Sequence, residues 1–365
     1  MTDGPKRILM TCDAVGGVWR YAVDLAGGLK QQGVDVVLAV LGPAPTPAQR
    51  QEAAAVETLI TVDLPLDWMV DDHRDLAAVP ARLAAIADEH DVDLVHLNLP
   101  SQAAGFPQGR PVLAVSHSCT VTWFAAVRGT DVPPGWAWQK TINRAGFDRA
   151  DHIVAPSASH AALLRATYHP LSDVTVIHNA SAVTADAALK DLYVFAAGRW
   201  WDEGKNARIL DEAAAMIGWP VVMVGANSAN GQGVDIEHAL LRGALPHEET
   251  MALMGRAAIV VSPSLYEPFG LAALEAARCG CALVLADIPT YRELWDGCAL
   301  FFDAKDAGDL ARQVNHLSVD DRLRARLVSA AQQRAGRYAL PAQVAAYRRL
   351  YEAACRPAHL EAAAE

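Results

Sequence analysis

The sequence predicts an α/β fold made of two doubly wound parallel-sheet domains that face each other across a cleft. The length of 365 residues suits two domains of roughly 150 residues each. Short apolar runs alternate with helical patterns along most of the chain, as expected of repeated strand–helix–strand units. The runs are continuously apolar rather than alternating, which is typical of parallel strands buried on both faces.

The first domain is predicted over residues 1–185. Its seven strand candidates are RILMTC (7–12), VDVVLAVL (34–41), TLITVD (58–63), DLVHLN (93–98), PVLAVS (111–116), DHIVAP (151–156) and DVTVIH (173–178). Helical patterns such as 17–32 and 74–90 lie between them. Right-handed crossovers through these helices would place helices on both faces of one parallel sheet.

A second domain is predicted over residues 186–340, after a linker of small and polar residues at 179–191. Its strand candidates are LYVFAA (192–197), PVVMVG (220–225), AAIVVSP (257–263), CALVLA (281–286) and CALFF (298–302). Pro341 breaks the chain before a last amphipathic helix. We expect residues 341–365 to pack back on the first domain.

Charge and composition exclude several functional classes. The chain has 31 Lys+Arg and 42 Asp+Glu, a net charge of −11, which is not the basic surface of a nucleic-acid-binding protein. No stretch approaches the roughly 18 apolar residues that a membrane span requires. The first apolar run ends at Asp13 without the hydrophobic core of a secretory signal, so a cytoplasmic protein is expected. The six cysteines are dispersed without a C-x-x-C pair, so no metal site and no disulfide framework are predicted.

The segment SPSLYEPFGLAALEAARCG (262–280) predicts an anion site at the start of a helix. A strand ends in a turn, Glu267 follows, and Pro268 stands at the first helical position, where the missing N–H is not needed. The dipole of the helix and its unpaired N–H groups favour an anion there. These N–H groups would be those of Phe269, Gly270 and Leu271.

Glu275 follows Glu267 by eight positions, about two turns into the predicted helix. For an isolated pair of glutamates, one carboxylate that stabilises the helix dipole and one solvated carboxylate would be the commoner arrangement. The strand, the proline and the Phe-Gly dipeptide around this pair favour a binding site instead.

The segment AAGRWWDEGKN (196–206) predicts a pair of cations near this helix. Arg199 comes at the end of the first strand of the second domain, and Lys205 lies in the loop that follows. A guanidinium and an ammonium at such a position are suited to neutralising a diphosphate. Taken alone, two unrelated surface cations are the commoner arrangement.

Two weaker signals lie in the first domain. The segment CDAVGGVWRYA (12–22) runs from a strand into Gly16 and Gly17, whose backbone N–H groups could approach a phosphate or a sugar. The spacing is not G-x-G-x-x-G, and an ordinary tight turn explains the pair equally well. His117 ends the strand AVSHSC (114–119), where it could bond a sugar hydroxyl, although a lone histidine is more often structural.

The order of these segments resembles the retaining glycosyltransferases of family 4, which have the GT-B fold of two Rossmann-like domains. The resemblance extends over nearly the whole chain. Its most specific part is EPFGLAALE, which carries Glu267 and Glu275, preceded by GALPHEETMALMGRAAIVVSPS (243–264). The element GRWWDEGK (198–205), the glycine pair and His117 also fall where the family has them.

The resemblance implies transfer of a hexosyl group from a nucleotide-diphosphate sugar (UDP-, GDP- or ADP-sugar) to an acceptor hydroxyl, with retention and without a metal or cofactor. Arg199 and Lys205 would neutralise the departing diphosphate, Glu267 would hold the donor, and His117 would contact its sugar. The other donor-binding positions implied are Gly16, Gly17, Phe269, Gly270, Leu271, the ribose-binding Glu275, and Gly243 and Leu245 near the base.

The loop 120–140 is rich in aromatic residues and belongs to the domain that receives the acceptor in this family. Trp123, Trp136 and Trp138 are interpreted as a carbohydrate-stacking platform for the acceptor, with buried loop packing as an equal alternative. A membrane-contacting loop ranks third, because the acidic charge balance gives it no electrostatic support.

Two other functions are compatible with the same motifs. A GT-B nucleotide-sugar 2-epimerase would share the fold but would need no acceptor. A non-catalytic nucleotide-sugar-binding protein would bind the donor without turnover. Release of nucleoside diphosphate that depends on an acceptor distinguishes a transferase from both.

Overall fold

The computed structural model describes residues 4–171, 173–183, 189–229 and 232–356. The chain forms two compact units, one from Met1–Ala180 with Leu340–Glu365 and the other from Ser181–Ala339. The predicted linker, residues 179–191, spans this boundary, and its residues 184–188 lie outside the described residues.

The first unit contains a parallel sheet with the strand order β3-β2-β1-β4-β5-β6-β7. Its strands are β1 (Arg7–Asp13), β2 (Asp35–Leu41), β3 (Thr58–Val62), β4 (Leu94–Leu97), β5 (Val112–Val115), β6 (His152–Ala155) and β7 (Val174–Val176). Each strand lies at a predicted segment. In register, Ile8 of β1 stands between Val36 of β2 and Leu94 of β4.

Helices cover both faces of this sheet. They are α1 (Gly17–Gln31), α2 (Pro47–Glu52), α3 (Val79–Glu89), α4 (Thr120–Trp123), α5 (Ala137–Arg149) and α6 (Ala158–Thr167). Along β1, Ile8 and Met10 pack into the apolar core beside α1, whereas Leu9 packs into the core beside α3. Successive strand residues point to opposite faces, so a strand buried on both faces needs a continuous apolar run.

The second unit repeats this design with a parallel sheet in the order β12-β9-β8-β13-β14-β15. Its strands are β8 (Asp191–Ala197), β9 (Val221–Val224), β10 (Ser228–Ala229), β11 (Gln232–Gly233), β12 (Leu240–Leu241), β13 (Ala257–Ser262), β14 (Ala282–Ala286) and β15 (Leu300–Phe302). The small antiparallel ribbon β10–β11 and the edge strand β12 were not predicted, because two residues are too few to form an apolar pattern.

The helices of this unit are α7 (Ala207–Ala214), α8 (His247–Arg256), α9 (Leu271–Arg278), α10 (Pro289–Trp295), α11 (Ala307–Val319) and α12 (Asp321–Ala335). They enclose one apolar core that includes the fully buried side chains of Trp200 and Trp295. No helix in the described part of the chain combines the length and the apolar character needed to cross a membrane.

The last helix, α13 (Leu340–Ala354), belongs to the first unit and packs against α1. Contact between the two helices is close at Gly28, where a Cβ atom would lie 2.5 Å from Cγ2 of Val344. Tyr347 and Tyr351 are one helical turn apart on α13 and are completely buried. The chain therefore begins and ends its described fold in the same unit.

Each sheet has one position where the strand order reverses direction. In the first unit it lies between β1 and β4, and in the second between β8 and β13. At such a position, the connections that follow the two neighbouring strands run to opposite faces of the sheet. A crevice therefore opens at the carboxyl ends of these strands, and ligands of doubly wound sheets bind there. The sequence motifs can be located relative to these two switch points.

Candidate active site

At the switch point of the second unit, the two loops that leave β8 and β13 are held together by hydrogen bonds. The backbone N–H of Leu265 donates to the carbonyl of Gly204 over 2.9 Å. The amide of Asn206 donates to the carbonyls of Pro263 and Ala304 over 3.0 and 2.8 Å, with the Asn206 backbone in the left-handed region at φ 57°. These bonds fix the loop that carries Lys205 against the loop that carries Glu267.

Lys205 and Glu267 form an ion pair across these two loops, with Nζ donating to Oε1. The Ser264 hydroxyl donates to the same carboxylate oxygen over 3.1 Å. The side chains of Lys205 and Glu267 are 20% and 15% exposed, so the pair is largely shielded yet open at one side. Two residues that are 62 positions apart in the sequence are thereby combined into one site.

The helix that follows Glu267 begins at Leu271, so the prediction that Pro268 starts it is wrong. Gly270 precedes the helix with φ 84° and ψ 65°, a left-handed conformation that prevents an earlier helical start. A Cβ atom on Gly270 would lie 2.7 Å from Cε1 of Tyr291, so both the backbone angle and the space require glycine.

The predicted donor-binding residues after Glu267 differ in their surroundings, and none of Phe269, Leu271 and Glu275 is fully exposed. Phe269 is buried, with its ring at right angles to that of Tyr338 at 5.6 Å. The first helical residue, Leu271, has an N–H that no preceding turn of α9 can pair. Glu275 lies in the second turn and is only 9% exposed, which excludes the fully solvated glutamate considered from the sequence.

Tyr291 supports this turn from α10. Its hydroxyl is within hydrogen-bonding distance of the Ser262 hydroxyl, at 2.5 Å. Burial, followed by the negative charge of Glu267, raises the pKa of Tyr291 well above its usual value. The phenol is therefore neutral, and its ring forms the wall against which Gly270 packs.

Arg199 follows β8 in the same loop as Lys205 but has different neighbours. Its guanidinium lies 3.9 Å from the carboxylate of Asp202 and 5.7 Å from the ring centre of Trp201, and its side chain is 46% exposed. Trp200, by contrast, is buried and donates its indole N–H to the carbonyl of Val224 over 3.0 Å. Stacking of Trp200 on a ligand is therefore excluded, because its ring is part of the core.

Glycines bring the carboxyl ends of β8, β9 and β12 close together. A Cβ atom on Gly225 would lie 1.9 Å from the carbonyl oxygen of Gly198, and Gly225 donates its N–H to the Gly243 carbonyl over 2.7 Å. Gly243 has φ 68° and open space where a side chain would stand. Leu245, two residues further on, packs partly against the core of the unit.

In the first unit, the carboxylate of Asp13 lies inside the turn that leads to Gly16 and Gly17. Asp13 accepts the backbone N–H groups of Val15 and Gly16 over 2.8 and 3.1 Å, and α1 begins at Gly17. The Gly16 N–H is thus already bonded to Asp13, as in an ordinary tight turn, and donor binding by Gly16 and Gly17 stays a prediction. Negative charge at this turn also disfavours a second anion there.

His117 stands after β5, where its ring packs against that of Tyr21 with 4.3 Å between centroids. Its Nε2 is 2.8 Å from Oδ1 of Asn98, which follows the neighbouring strand β4. Burial of the ring, together with His96 and His160, lowers the pKa of His117 to about 3. His117 is therefore a neutral hydrogen-bonding group at the switch point of this unit.

The predicted aromatic platform is divided in the structure. Phe124 stands between Trp123 and Trp136, with ring centroids at 5.2 and 5.9 Å, and the Arg128 guanidinium lies over Trp123 at 5.3 Å. Trp138 packs elsewhere, against the core beside α3, and donates its indole N–H to the carbonyl of Asp71. Trp136 is 41% exposed and presents the most accessible ring of the group.

Sequence reasoning missed three polar residues that complete these sites, namely Ser264, Asn98 and Asp13. Each one ends a parallel strand or follows it within two residues. Polar residues at the carboxyl ends of parallel strands are the signal that could have identified them. Across the described ranges, no group of three or more His, Cys, Asp or Glu side chains is arranged to hold a metal ion.

Comparison with protein families places both units among sugar transferases. Residues 15–181 match the family model described as Glycosyltransferase Family 4, and residues 210–334 match the model described as Glycosyl transferases group 1. A phosphatidyl-myo-inositol mannosyltransferase of Propionibacterium freudenreichii subsp. shermanii is 26% identical over 303 residues, covering 76% of this chain and 75% of that protein. A D-inositol 3-phosphate glycosyltransferase of Corynebacterium jeikeium is 35% identical over 109 residues, 29% of this chain and 26% of that protein.

Solved structures share the fold over almost the entire chain. Sucrose-phosphate synthase of Thermosynechococcus elongatus superposes with a TM-score of 0.79 and 18% identity, covering 95% of this chain and 98% of that one. HepE of Anabaena, crystallised with UDP and glucose, gives a TM-score of 0.76 at 16% identity, covering 95% and 100%. At this level of identity the superpositions establish the fold and leave the substrates open.

Proposed function

The chain belongs to glycosyltransferase family 4 and has the GT-B fold, and we propose that it transfers a hexosyl group from a nucleotide-diphosphate sugar to an acceptor hydroxyl, with retention at the anomeric carbon. The observation that carries this proposal is the ion pair between Lys205 and Glu267 at the β8/β13 switch point. This ion pair joins the motifs GRWWDEGK and EPFGLAALE, the two most specific of the sequence, at one switch point.

The electrostatics of this place favour a diphosphate. The Lys205 ammonium and the amino end of α9, which begins at Leu271, are both positive. Arg199 adds a third positive group in the loop that follows β8. Glu267 holds the Lys205 ammonium in place and, in our proposal, bonds hydroxyls of the donor sugar. The largely buried Glu275 is proposed to bind the ribose of the donor.

In the proposed reaction, the bond between the anomeric carbon and the diphosphate oxygen breaks, and its electron pair leaves with the diphosphate. The acceptor oxygen attacks the same face of the sugar, and its proton passes to the departing phosphate oxygen. This sequence gives retention without a nucleophile from the protein. Lys205 and Arg199 stabilise the negative charge that develops on the leaving group, which is where fixed charges accelerate a reaction most.

The identity of the donor is proposed only as a class, a UDP-, GDP- or ADP-sugar. HepE, which shares the fold, was crystallised with UDP-glucose, and this supports a nucleotide-sugar donor. We propose that backbone groups at Gly243 to Leu245 contact the base. The acceptor is proposed to be a carbohydrate or another hydroxyl compound that stacks on Trp123 and Trp136, the two tryptophans grouped around Phe124.

The test is turnover of UDP-, GDP- and ADP-linked hexoses in the presence and absence of a panel of hydroxyl acceptors. We expect release of nucleoside diphosphate that depends on an acceptor, and a glycosidic product whose anomeric configuration, measured by proton NMR, matches that of the donor. Conversion of the donor without an acceptor would favour the epimerase. Tight donor binding with no turnover would favour a binding protein, and an inverted product would contradict retention.

A further inference from the structure

A buried hydrogen-bond network in the first unit links the C-terminal helix to His117. Six side chains take part, all of them in Met1–Ala180 or Leu340–Glu365. They are Tyr21 of α1, His96 of β4, Asn98, His117, and Tyr347 and Tyr351 of α13. Five of the six are at most 2% exposed, and His117 alone reaches the edge of the network.

The orientation of the Asn98 amide is fixed by its backbone partner. Nδ2 lies 2.6 Å from the carbonyl oxygen of Thr11, which can only accept a hydrogen bond. The amide nitrogen must therefore face Thr11, and Oδ1 must face the two histidines. Oδ1 lies 2.8 Å from Nε2 of His117 and 3.2 Å from Nε2 of His96.

Because Oδ1 only accepts, both imidazoles carry a proton on Nε2. Nδ1 of His96 is then an acceptor, and the Tyr351 hydroxyl donates to it over 2.7 Å. The Tyr21 hydroxyl donates to Tyr347 over 2.7 Å and accepts from Nε2 of His96 at 3.2 Å. The single Nε2–H of His96 is shared between Asn98 and Tyr21, so the bonds run without a break from the two tyrosines of α13 to Asn98.

The same assignment leaves Nδ1 of His117 unprotonated. Within the described part of the chain this atom makes no hydrogen bond. Burial lowers the pKa of His96 and of His117 to about 3 in each case, so neither ring takes up a proton near neutral pH. A neutral acceptor atom is thus held at the carboxyl end of β5, where a sugar hydroxyl could donate to it.

We propose that Tyr347 and Tyr351 are positioning residues, which through His96 and Asn98 hold His117 in the Nε2-protonated form and so present Nδ1 to a sugar hydroxyl. This inference rests on the proposed function, because it assigns the sugar contact to His117. It gives α13 a role in the reaction beyond the packing of its apolar face on α1.

The first part of the test is nitrogen NMR of the full-length protein labelled with ¹⁵N-histidine. The twelve histidines are assigned with single substitutions, among them His96→Gln and His117→Gln. For the wild-type protein we expect both rings to show a protonated Nε2 and an unprotonated Nδ1 that do not titrate between pH 5.5 and pH 8. Tyr351→Phe and Tyr347→Phe are expected to shift the His117 resonances or to give mixed tautomers.

The matched control is Tyr168→Phe, which removes a buried hydroxyl bonded to Cys119 in the same unit. It should leave the His117 resonances unchanged. Resonances of His117 that stay at their wild-type positions in both α13 variants would overturn the proposal, as would a protonated Nδ1 in the wild-type protein. Because these NMR measurements need no substrate, they test the role of the hydrogen-bond network even if the proposed reaction is not observed.

The second part compares the donor with its product. For whichever of UDP-, GDP- and ADP-glucose is turned over, we expect Tyr347→Phe/Tyr351→Phe to lower kcat/KM about tenfold. The affinity for the corresponding nucleoside diphosphate, which lacks the sugar, should stay within about twofold. Equal weakening of both would indicate a purely structural role for the tyrosines. Wild-type kinetics of His117→Gln would refute the sugar contact while leaving the transferase itself intact.

Discussion

The two switch points of the molecule have the same topology but contain opposite kinds of chemistry. At β8/β13 in the second unit, Lys205 and Glu267 form a charged pair that is partly open to solvent. At β1/β4 in the first unit, Thr11, Asn98 and His96 form a neutral network that is closed to solvent. The same topology therefore carries charged groups at one switch point and neutral groups at the other.

This difference follows from what each kind of site can bind. Fixed positive charge and a helix amino end stabilise an anion and the charge that develops when it leaves. Neutral acceptors and donors in fixed tautomers recognise hydroxyls, which carry no charge but have directional bonds. The charged groups of the second unit are thus suited to a diphosphate, and the neutral groups of the first unit are suited to hydroxyls.

The largest effect on stability is expected at the turn before α9. Gly270→Ala should lower the free energy of unfolding by about 2–4 kcal/mol, because alanine is strained at φ 84° and its Cβ would collide with Tyr291. Gly297→Ala is the matched control, since Gly297 has φ 76° but nothing within 4 Å of the Cβ position. It should cost only the backbone strain of about 1–2 kcal/mol in a urea titration. Equal losses would show that contact with Tyr291 is unimportant.

An effect of about 2 kcal/mol at pH 5 is expected from the burial of neutral His96 in this network. The pKa of His96 is about 3 in the folded protein, below the ordinary value of about 6.5 that applies when unfolded. Between these values the unfolded chain binds the extra proton, so stability falls as pH falls from 6.5 toward 3. By pH 5 this loss reaches about 2 kcal/mol.

The variant His96→Gln should remove this contribution, so its stability should fall less steeply than that of the wild type between pH 7 and pH 5. The measurement is urea unfolding at both pH values, with His73→Gln, an exposed histidine of the same unit, as the control. An unchanged pH slope in His96→Gln would contradict the neutral state of the network.

The smallest effects are expected at the aromatic loop of the first unit. Trp138→Ala should destabilise the protein by about 1–2 kcal/mol, because its ring packs partly into the core beside α3. Trp136→Ala, which removes an exposed ring, should change stability by less than about 0.5 kcal/mol. Thermal unfolding separates the two. If Trp136 also binds the acceptor, its variant should raise the KM for the acceptor alone; equal destabilisation would refute the division of the loop.

The sheets could be predicted from the sequence because a strand buried on both faces must be apolar throughout. Segments such as RILMTC and AAIVVSP therefore stand out from their surroundings. The edge strand β12 could not be predicted, since two residues give no pattern. The start of α9 was misplaced because Pro268 suits a first helical turn, whereas tertiary contact with Tyr291 favours a left-handed Gly270.

The candidate site was predictable as a set of motifs but not as a set of contacts. Lys205 and Glu267 were identified separately, and only the fold shows that they form one ion pair. Asp13 was missed as the partner of Gly16, because a side chain that turns back on its own loop has no sequence periodicity. The network of Tyr347 and Tyr351 could not be predicted because its bonds join distant parts of the chain. Tyr351 bonds His96 across 255 positions, and Tyr347 bonds Tyr21 across 326 positions.

The central claim, that Lys205 stabilises a departing diphosphate, is tested most directly by steady-state kinetics of Lys205→Ala beside Lys305→Ala, which removes an exposed lysine of the same unit. Loss of transition-state stabilisation should lower kcat at least about 100-fold in Lys205→Ala, with the donor KM changed by only a few-fold and Lys305→Ala indistinguishable from wild type. A raised KM with unchanged kcat in Lys205→Ala would contradict the claim.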